Sequence, residues 1–224
     1  MGPARVISFD LDGTLYRVRR LSVAWRLRHE RGLLVALMAA RERIRHEPPL
    51  GSREALLARE IELVRPSFQL SEEEARQRVG DLLADLPRAL TRGRPPHPGV
   101  RSAIEAALAH GLRIAIVSDY APGEKLVELG LDDLPWAATI GCDELGALKP
   151  HPTAFLELAS RLSVAPQDIV HLGDREDLDV AGALAAGCRA WMYRRKDRGQ
   201  SSRAERVLSS FPLDVFRPLF PSSD

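Results

Sequence analysis

Cysteine is almost missing from this chain: Cys142 and Cys188 are the only two among 224 residues, and they stand far apart. That excludes a disulfide framework or a cysteine-rich metal site and makes a reducing interior the expectation. Lysine is nearly as scarce, at Lys125, Lys149 and Lys196, so arginine supplies almost all the positive charge. Such a bias is read first as genomic, and it weakens any argument from a single arginine. No excess of either sign is present. The 32 basic and 31 acidic residues argue against a nucleic-acid-binding surface. The longest apolar run, "LLVALMAA" at 33–40, falls far short of the ~20 residues of a membrane span. Strand-like residues follow the N-terminus at once and leave no room for a signal peptide. A soluble cytoplasmic protein, monomer or homodimer, is therefore expected, with no nucleic acid or membrane partner.

What is present is a rhythm. From residue 99 onward strand-like and helix-like segments alternate: "GVRSAIEAALAHG" as helix, "LRIAIVSD" (112–119) as a buried strand, "PGEKLVELG" as helix and "WAATI" (136–140) as strand. "PTAFLELASRL" is a helix opened by Pro152, "DIVHLGD" (168–174) a strand, "DVAGALAAG" a helix and "CRAWMYR" a last strand. This alternation predicts βαβ units and a doubly wound parallel sheet. Residues 17–94 break it. They are helix-like throughout, with one long helix over 21–46 broken near Gly32, a second in "SREALLAREIELV", and a third opened by a Ser71/Glu74 capping box. "TRGRPPHPG" (91–99) reads as a stiff return. The predicted division is a core of residues 1–16 and 95–224 with an all-helical insert at 17–94. The Pro-rich tail, "FPLDVFRPLFPSSD", is expected to pack as an irregular arm.

Chemistry collects where the predicted strands end. "VISFDLDGTLY" (6–16) brings Asp10 and Asp12 to the mouth of a buried strand. Two like charges that close raise each other's pKa unless a cation or a proton intervenes. Ser118 and Asp119 follow the second strand, Lys149 lies in "GALKPHP", and "GDREDLD" supplies Asp174, Asp177 and Asp179. In open parallel sheets ligands bind at these carboxyl ends. Carboxylates, a hydroxyl and a lysine converging there suit Mg²⁺, a hard cation that takes oxygen ligands, and a phosphate.

The four segments "DLDGT", "VSD", "LKPHP" and "GDREDLD", in this order and spacing, resemble the motifs of the haloacid dehalogenase-like hydrolase superfamily over nearly the whole chain. The resemblance implies a Rossmann-like core with strand order 5-4-1-2-3 and a helical cap between the first and second motifs. It also implies a Mg²⁺-dependent phosphatase, similar to phosphoglycolate phosphatases, acting on a small phosphorylated metabolite through an aspartyl-phosphate. Asp10 corresponds to the nucleophile. Asp12 corresponds to the general acid and later base. Ser118, Asp119 and Lys149 correspond to phosphate-binding residues, with Lys149 also neutralising developing charge. Asp10, the Asp12 carbonyl and Asp174 correspond to the Mg²⁺ ligands, and Asp179 to a residue behind them that orients Lys149 or a metal-bound water.

Plainer roles compete at several positions. Asp119 stands where asparagine is common in the family, and its competing role is to cap the next helix. Asp177 reads as a solvated or helix N-terminal charge. Arg175 either reaches substrate or faces water, His171 is a satisfied core histidine, and the cysteines are packing residues. Asp12 argues against a dehalogenase, which lacks the second aspartate. An insert without lysine excludes a Schiff-base phosphonate hydrolase. A phosphomutase of the same superfamily and an inactive phosphate- or partner-binding module remain open. The insert holds 17 Arg against 11 Asp and Glu. That basic face is either a wall for an anionic substrate or a solvated surface.

Overall fold

The computed structural model describes residues 4–196 and 199–220. Six strands, β1 (Val6–Phe9), β2 (Arg113–Ser118), β3 (Trp136–Gly141), β4 (Ile169–Gly173), β5 (Arg189–Tyr193) and β6 (Arg206–Leu208), form one sheet. Its order is β3-β2-β1-β4-β5-β6 and every pairing is parallel. The five expected strands stand in the expected order. "CRAWMYR" is not the last strand, however, because β6 adds to its outer edge. Three residues without alternation leave no legible signal.

Both faces of the sheet are buried, as the apolar runs require. Side chains alternate across a strand. Ile7 and Phe9 of β1 join Ile114 and Ile116 of β2 on one face, while Val6 joins Ala115 and Val117 on the other. The first face is covered by α5 (Val100–Ala109), α6 (Gly123–Leu129) and the C-terminal arm, whose Phe216 meets the edge of Phe9 at 5.8 Å. The second is covered by α7 (Thr153–Leu162) and α8 (Ala181–Ala185), together with Cys142 and Cys188. The arm is irregular and buried through Phe211, Val215, Phe216 and Leu219. Its last four residues lie outside the described ones.

Between β1 and α5 the chain is helical: α1 (Arg20–Arg26), α2 (Arg31–Ile44), α3 (Arg53–Val64) and α4 (Glu72–Thr91). Ser52 caps α3, and Ser71 with Glu74 forms the capping box of α4. Leu33, Leu37, Ile61, Val64, Val79 and Leu82 make an apolar cluster of their own. Ile44 and Leu56 reach into the core beside the sheet. The break in the first helical stretch falls at Leu27–Glu30, not at Gly32. The two halves face different neighbours: Val23 packs with Leu86 and Ala89, whereas Leu33 and Leu37 pack with α3 and α4. Gly32 lies inside α2, beside the Phe68 ring, which a Cβ there would meet at 3.4 Å.

Candidate active site

Asp10 leaves β1 at the centre of the sheet, its N–H bonded to the Leu172 carbonyl at 2.9 Å. The chain then turns tightly, with the Thr14 and Leu15 amides both donating to the Leu11 carbonyl. Gly13 sits in this turn at φ 101°, and a Cβ there would collide with the Asp174 carboxylate. Glycine is thus required both for the turn and for the approach of the two acidic loops. Thr14 Oγ1 donates to Asp10 Oδ2 at 3.1 Å. Lys149 Nζ reaches Asp10 Oδ1 at 2.7 Å, Asp179 Oδ1 at 2.6 Å and the Val117 carbonyl at 3.3 Å. Ser118 is buried beside them and its Oγ has no partner among the described residues.

The electrostatics of this group are unbalanced. Burial pushes the Asp10 carboxyl well above the usual carboxylate range, although Lys149 pulls it back. Burial, with the Asp179 charge, raises Asp174 to about 7. Burial also disfavours charge on Asp179, but Lys149 and His171 outweigh it and hold that carboxyl below its usual range. Burial works against the Lys149 ammonium, which Asp10 and Asp179 nonetheless raise well above the ordinary lysine value. One lysine therefore serves three acids. One carboxylate oxygen from each of Asp10, Asp174 and Asp179 lies within 4.8 Å of the others. An all-oxygen donor set with unmet negative charge fits a divalent cation.

Sequence reasoning missed the groups that hold Asp12. Lys125 is fully buried and its Nζ pairs with Asp12 Oδ2, while the buried Tyr16 hydroxyl donates to Asp12 Oδ1. Lysine rarity was a usable signal for Lys125, but its helical position pointed to solvent. Asp119 does not cap α6, whose N-cap is Pro122 with no side-chain cap bond. Its carboxylate accepts from Arg45 at 2.6 Å and from the Lys149 amide at 3.1 Å. With both oxygens so engaged, and negative itself, its carboxylate offers a phosphate no donor, which leaves its backbone N–H for that role. Asp179 Oδ2 accepts from the Arg175 amide at 2.9 Å. Arg175 spends its guanidinium on Asp177 at 2.5 Å, so Asp177 is paired rather than only solvated. His171 bonds Ser8 Oγ at 3.0 Å, and its Nε2 stands 3.6 Å from Asp179, beyond hydrogen-bond reach.

The family model described as haloacid dehalogenase-like hydrolase matches residues 4–187. The chain belongs to that family. It is 30% identical over 230 residues to a phosphoglycolate phosphatase of Xylella fastidiosa, covering 98% of this chain and 95% of that protein. A glyceraldehyde 3-phosphate phosphatase of Methanopyrus kandleri is 34% identical over 128 residues, covering 55% of this chain and 54% of that protein. The fold matches the crystal structure of a predicted phosphoglycolate phosphatase of Haemophilus somnus at a TM-score of 0.64 and 21% identity, over 97% of this chain and 99% of that one. The protein is thus an enzyme of the hydrolase family. Phosphatases of this family use a divalent metal, and the Asp10, Asp174 and Asp179 trio is a group able to hold one.

In this hydrolase the site opens into a cleft of about 800 Å³ between the acidic loops and the helices. Asp12, Gly13 and Asp174 line its floor, and Arg17, His97 and Arg195 one corner. His97 is held below its usual value by burial and by the Arg195 and Arg17 charges, and its buried Nε2 has no partner among the described residues. No described helix is long and apolar enough to cross a membrane.

Proposed function

We propose that the protein is a cytoplasmic Mg²⁺-dependent phosphatase that hydrolyses small phosphate monoesters through an aspartyl-phosphate on Asp10, beneath a helical cap at residues 17–94. The observation that carries this reading is Lys149 Nζ lying 2.7 Å from Asp10 beside a buried, unpartnered Ser118 hydroxyl. A nucleophile, a cation and a free donor at one sheet edge are what a phosphoryl group needs. The names of the relatives, which act on phosphoglycolate and glyceraldehyde 3-phosphate, support the same reaction class.

Asp10 would attack phosphorus, forming the acyl-phosphate bond as the ester P–O bond breaks. Lys149 neutralises one Asp10 oxygen and Thr14 orients the other. Ser118 Oγ is free to bond a phosphoryl oxygen. Asp12 gives its proton to the departing oxygen and later takes one from water, with Lys125 and Tyr16 fixing its orientation. Asp10, Asp174 and the Asp12 carbonyl are the proposed holders of Mg²⁺, while Asp179 aims Lys149. When bound, the ion would supply charge neutralisation at the nucleophile and the phosphoryl oxygens.

The test is hydrolysis of an aryl phosphate, expected with Mg²⁺ and lost on chelation. Rapid quench with radiolabelled substrate should leave label on the wild-type chain. Turnover that survives thorough chelation would overturn the metal assignment, and an unlabelled chain would overturn the covalent route.

A further inference from the structure

The cleft has a charged floor and a carbon wall. The wall comprises Val23 of α1, Leu34 and Met38 of α2, and Leu86 and Leu90 of α4. Apart from Met38 these belong to the smallest apolar cluster of the molecule, in which only Val23, Leu86 and Ala89 are buried while Leu34 and Leu90 are partly covered. Met38 is 37% exposed. Helices that share a complete core would bury this surface against one another; here part of it faces the cleft, directly continuous with Asp12 and Asp174. Clefts of ~300–1,000 Å³ with mostly apolar walls and a few placed polar groups are those that enclose organic ligands of appreciable size.

The polar inventory points the same way. No Ser, Thr, Asn or Gln is among the described residues lining the cleft. Of its insert arginines, Arg17 stands in the basic corner with no carboxylate partner among the described residues, whereas Arg41 is taken by Glu60 at 3.2 Å and by the Asp119 carbonyl at 3.2 Å. Arg45 is taken by Asp119 and the Lys149 carbonyl. The polar side chains of the lining lie on the floor and in the basic corner, so a hydroxyl set against the carbon wall would go unpaired, which is costly once water is excluded. A two-carbon acid would leave the wall wet.

We propose that the substrates of this site are phosphate monoesters carrying an extended apolar body, an alkyl chain or aromatic ring, seated on Val23, Leu34, Met38, Leu86 and Leu90. The inference rests on the phosphatase reading above and names its substrate class. Each methylene that leaves water for the wall contributes binding that a polar wall could not.

Primary n-alkyl phosphates from ethyl to octyl test it, because their leaving alkoxides are nearly equally basic and the series reads burial alone. With Mg²⁺, kcat/KM should rise about fourfold per methylene until the wall is covered. Alkylphosphonates, measured by calorimetry without turnover, should tighten in parallel. Met38→Gln or Leu90→Gln should flatten both slopes, whereas Leu156→Gln, on a half-exposed residue of α7 outside the cleft, should leave them steep. A flat series, or 2-phosphoglycolate preferred to hexyl phosphate, would overturn the inference. Acetyl phosphate separates the two levels, since its acyl group is too short to reach the wall. Its hydrolysis together with a flat alkyl series sinks the substrate class alone. No hydrolysis of it sinks the phosphatase reading and this inference with it.

Discussion

At the sheet edge, Asp10 and Asp179 share one buried lysine, and Asp174 stands beside them with no ion pair among the described residues. Across the cleft the helical insert is rich in arginine, and several of its charges are paired away from the cleft: Arg59 with Glu47 and Glu62, Arg76 with Glu54, Arg78 with Glu30. One region gathers buried acidic charge where a ligand can use it, and the other turns carbon to the cleft. The comparison separates two tasks. The acidic cluster sits on backbone ordered by β-ladders, and the carbon wall sits on helices joined to it by two connections.

The sharpest break of this comparison is Asp10→Asn. An amide is no nucleophile at phosphorus, so turnover should fall on the order of 10⁴-fold or more with the circular dichroism spectrum unchanged. Retained labelling of the variant chain in a rapid quench would move the nucleophile elsewhere. Next in size is Asp12→Asn, which keeps the backbone carbonyl and removes the proton donor. The aspartylation rate should drop ~10²–10⁴-fold with an alkyl phosphate and far less with acetyl phosphate. Lys125→Met should weaken the same leaving-group dependence, because it frees one Asp12 oxygen. A uniform loss across leaving groups would reduce Asp12 to a positioning role.

Stability without metal reads the charge crowding directly. Asp174 titrates near 7 in the folded protein against an ordinary 3.8. A raised folded value means a contribution that is complete below pH ~4 and lost as pH rises through about 7. In chelator, Asp174→Asn should therefore raise Tm by a few degrees at pH 8 and by much less at pH 4. Added Mg²⁺ should stabilise the wild type and not the variant. Equal shifts at both pH values would mean that the carboxylate is not crowded. The smallest effect concerns the basic corner of the cleft. Arg17 and Arg195 have no carboxylate partner among the described residues and flank His97. Alanine at either should raise KM about three- to tenfold for substrates with a second negative charge, leaving acetyl phosphate turnover unchanged. Matching KM values would make this corner a solvated surface.

Much of the core was legible because strands write short apolar runs and helices write periodic ones. The Ser71/Glu74 box, the strand ends at Asp10 and Ser118, and the order of the four acidic and basic motifs are all local patterns. The break expected near Gly32 falls just before it, at Leu27–Glu30, where the two halves turn to different neighbours. The cap reading of Asp119 failed for a similar reason: a strand-end aspartate before a helix looks like a cap, and only the folded chain brings Arg45 to it across 74 positions.

By itself the sequence determined which residues end the strands, and therefore that Asp10, Ser118, Lys149 and Asp174 would meet at one edge of a parallel sheet. Register and right-handed crossover leave such groups few other places to go. Only the tertiary structure decided what surrounds them. Lys125 lies 113 positions from Asp12, and the wall of Val23, Met38 and Leu90 is drawn from three separate helices. Periodicity tells a helix which face is apolar. It does not say which part of that face a neighbour covers and which part stays open, because that depends on the packing of segments far apart in the chain.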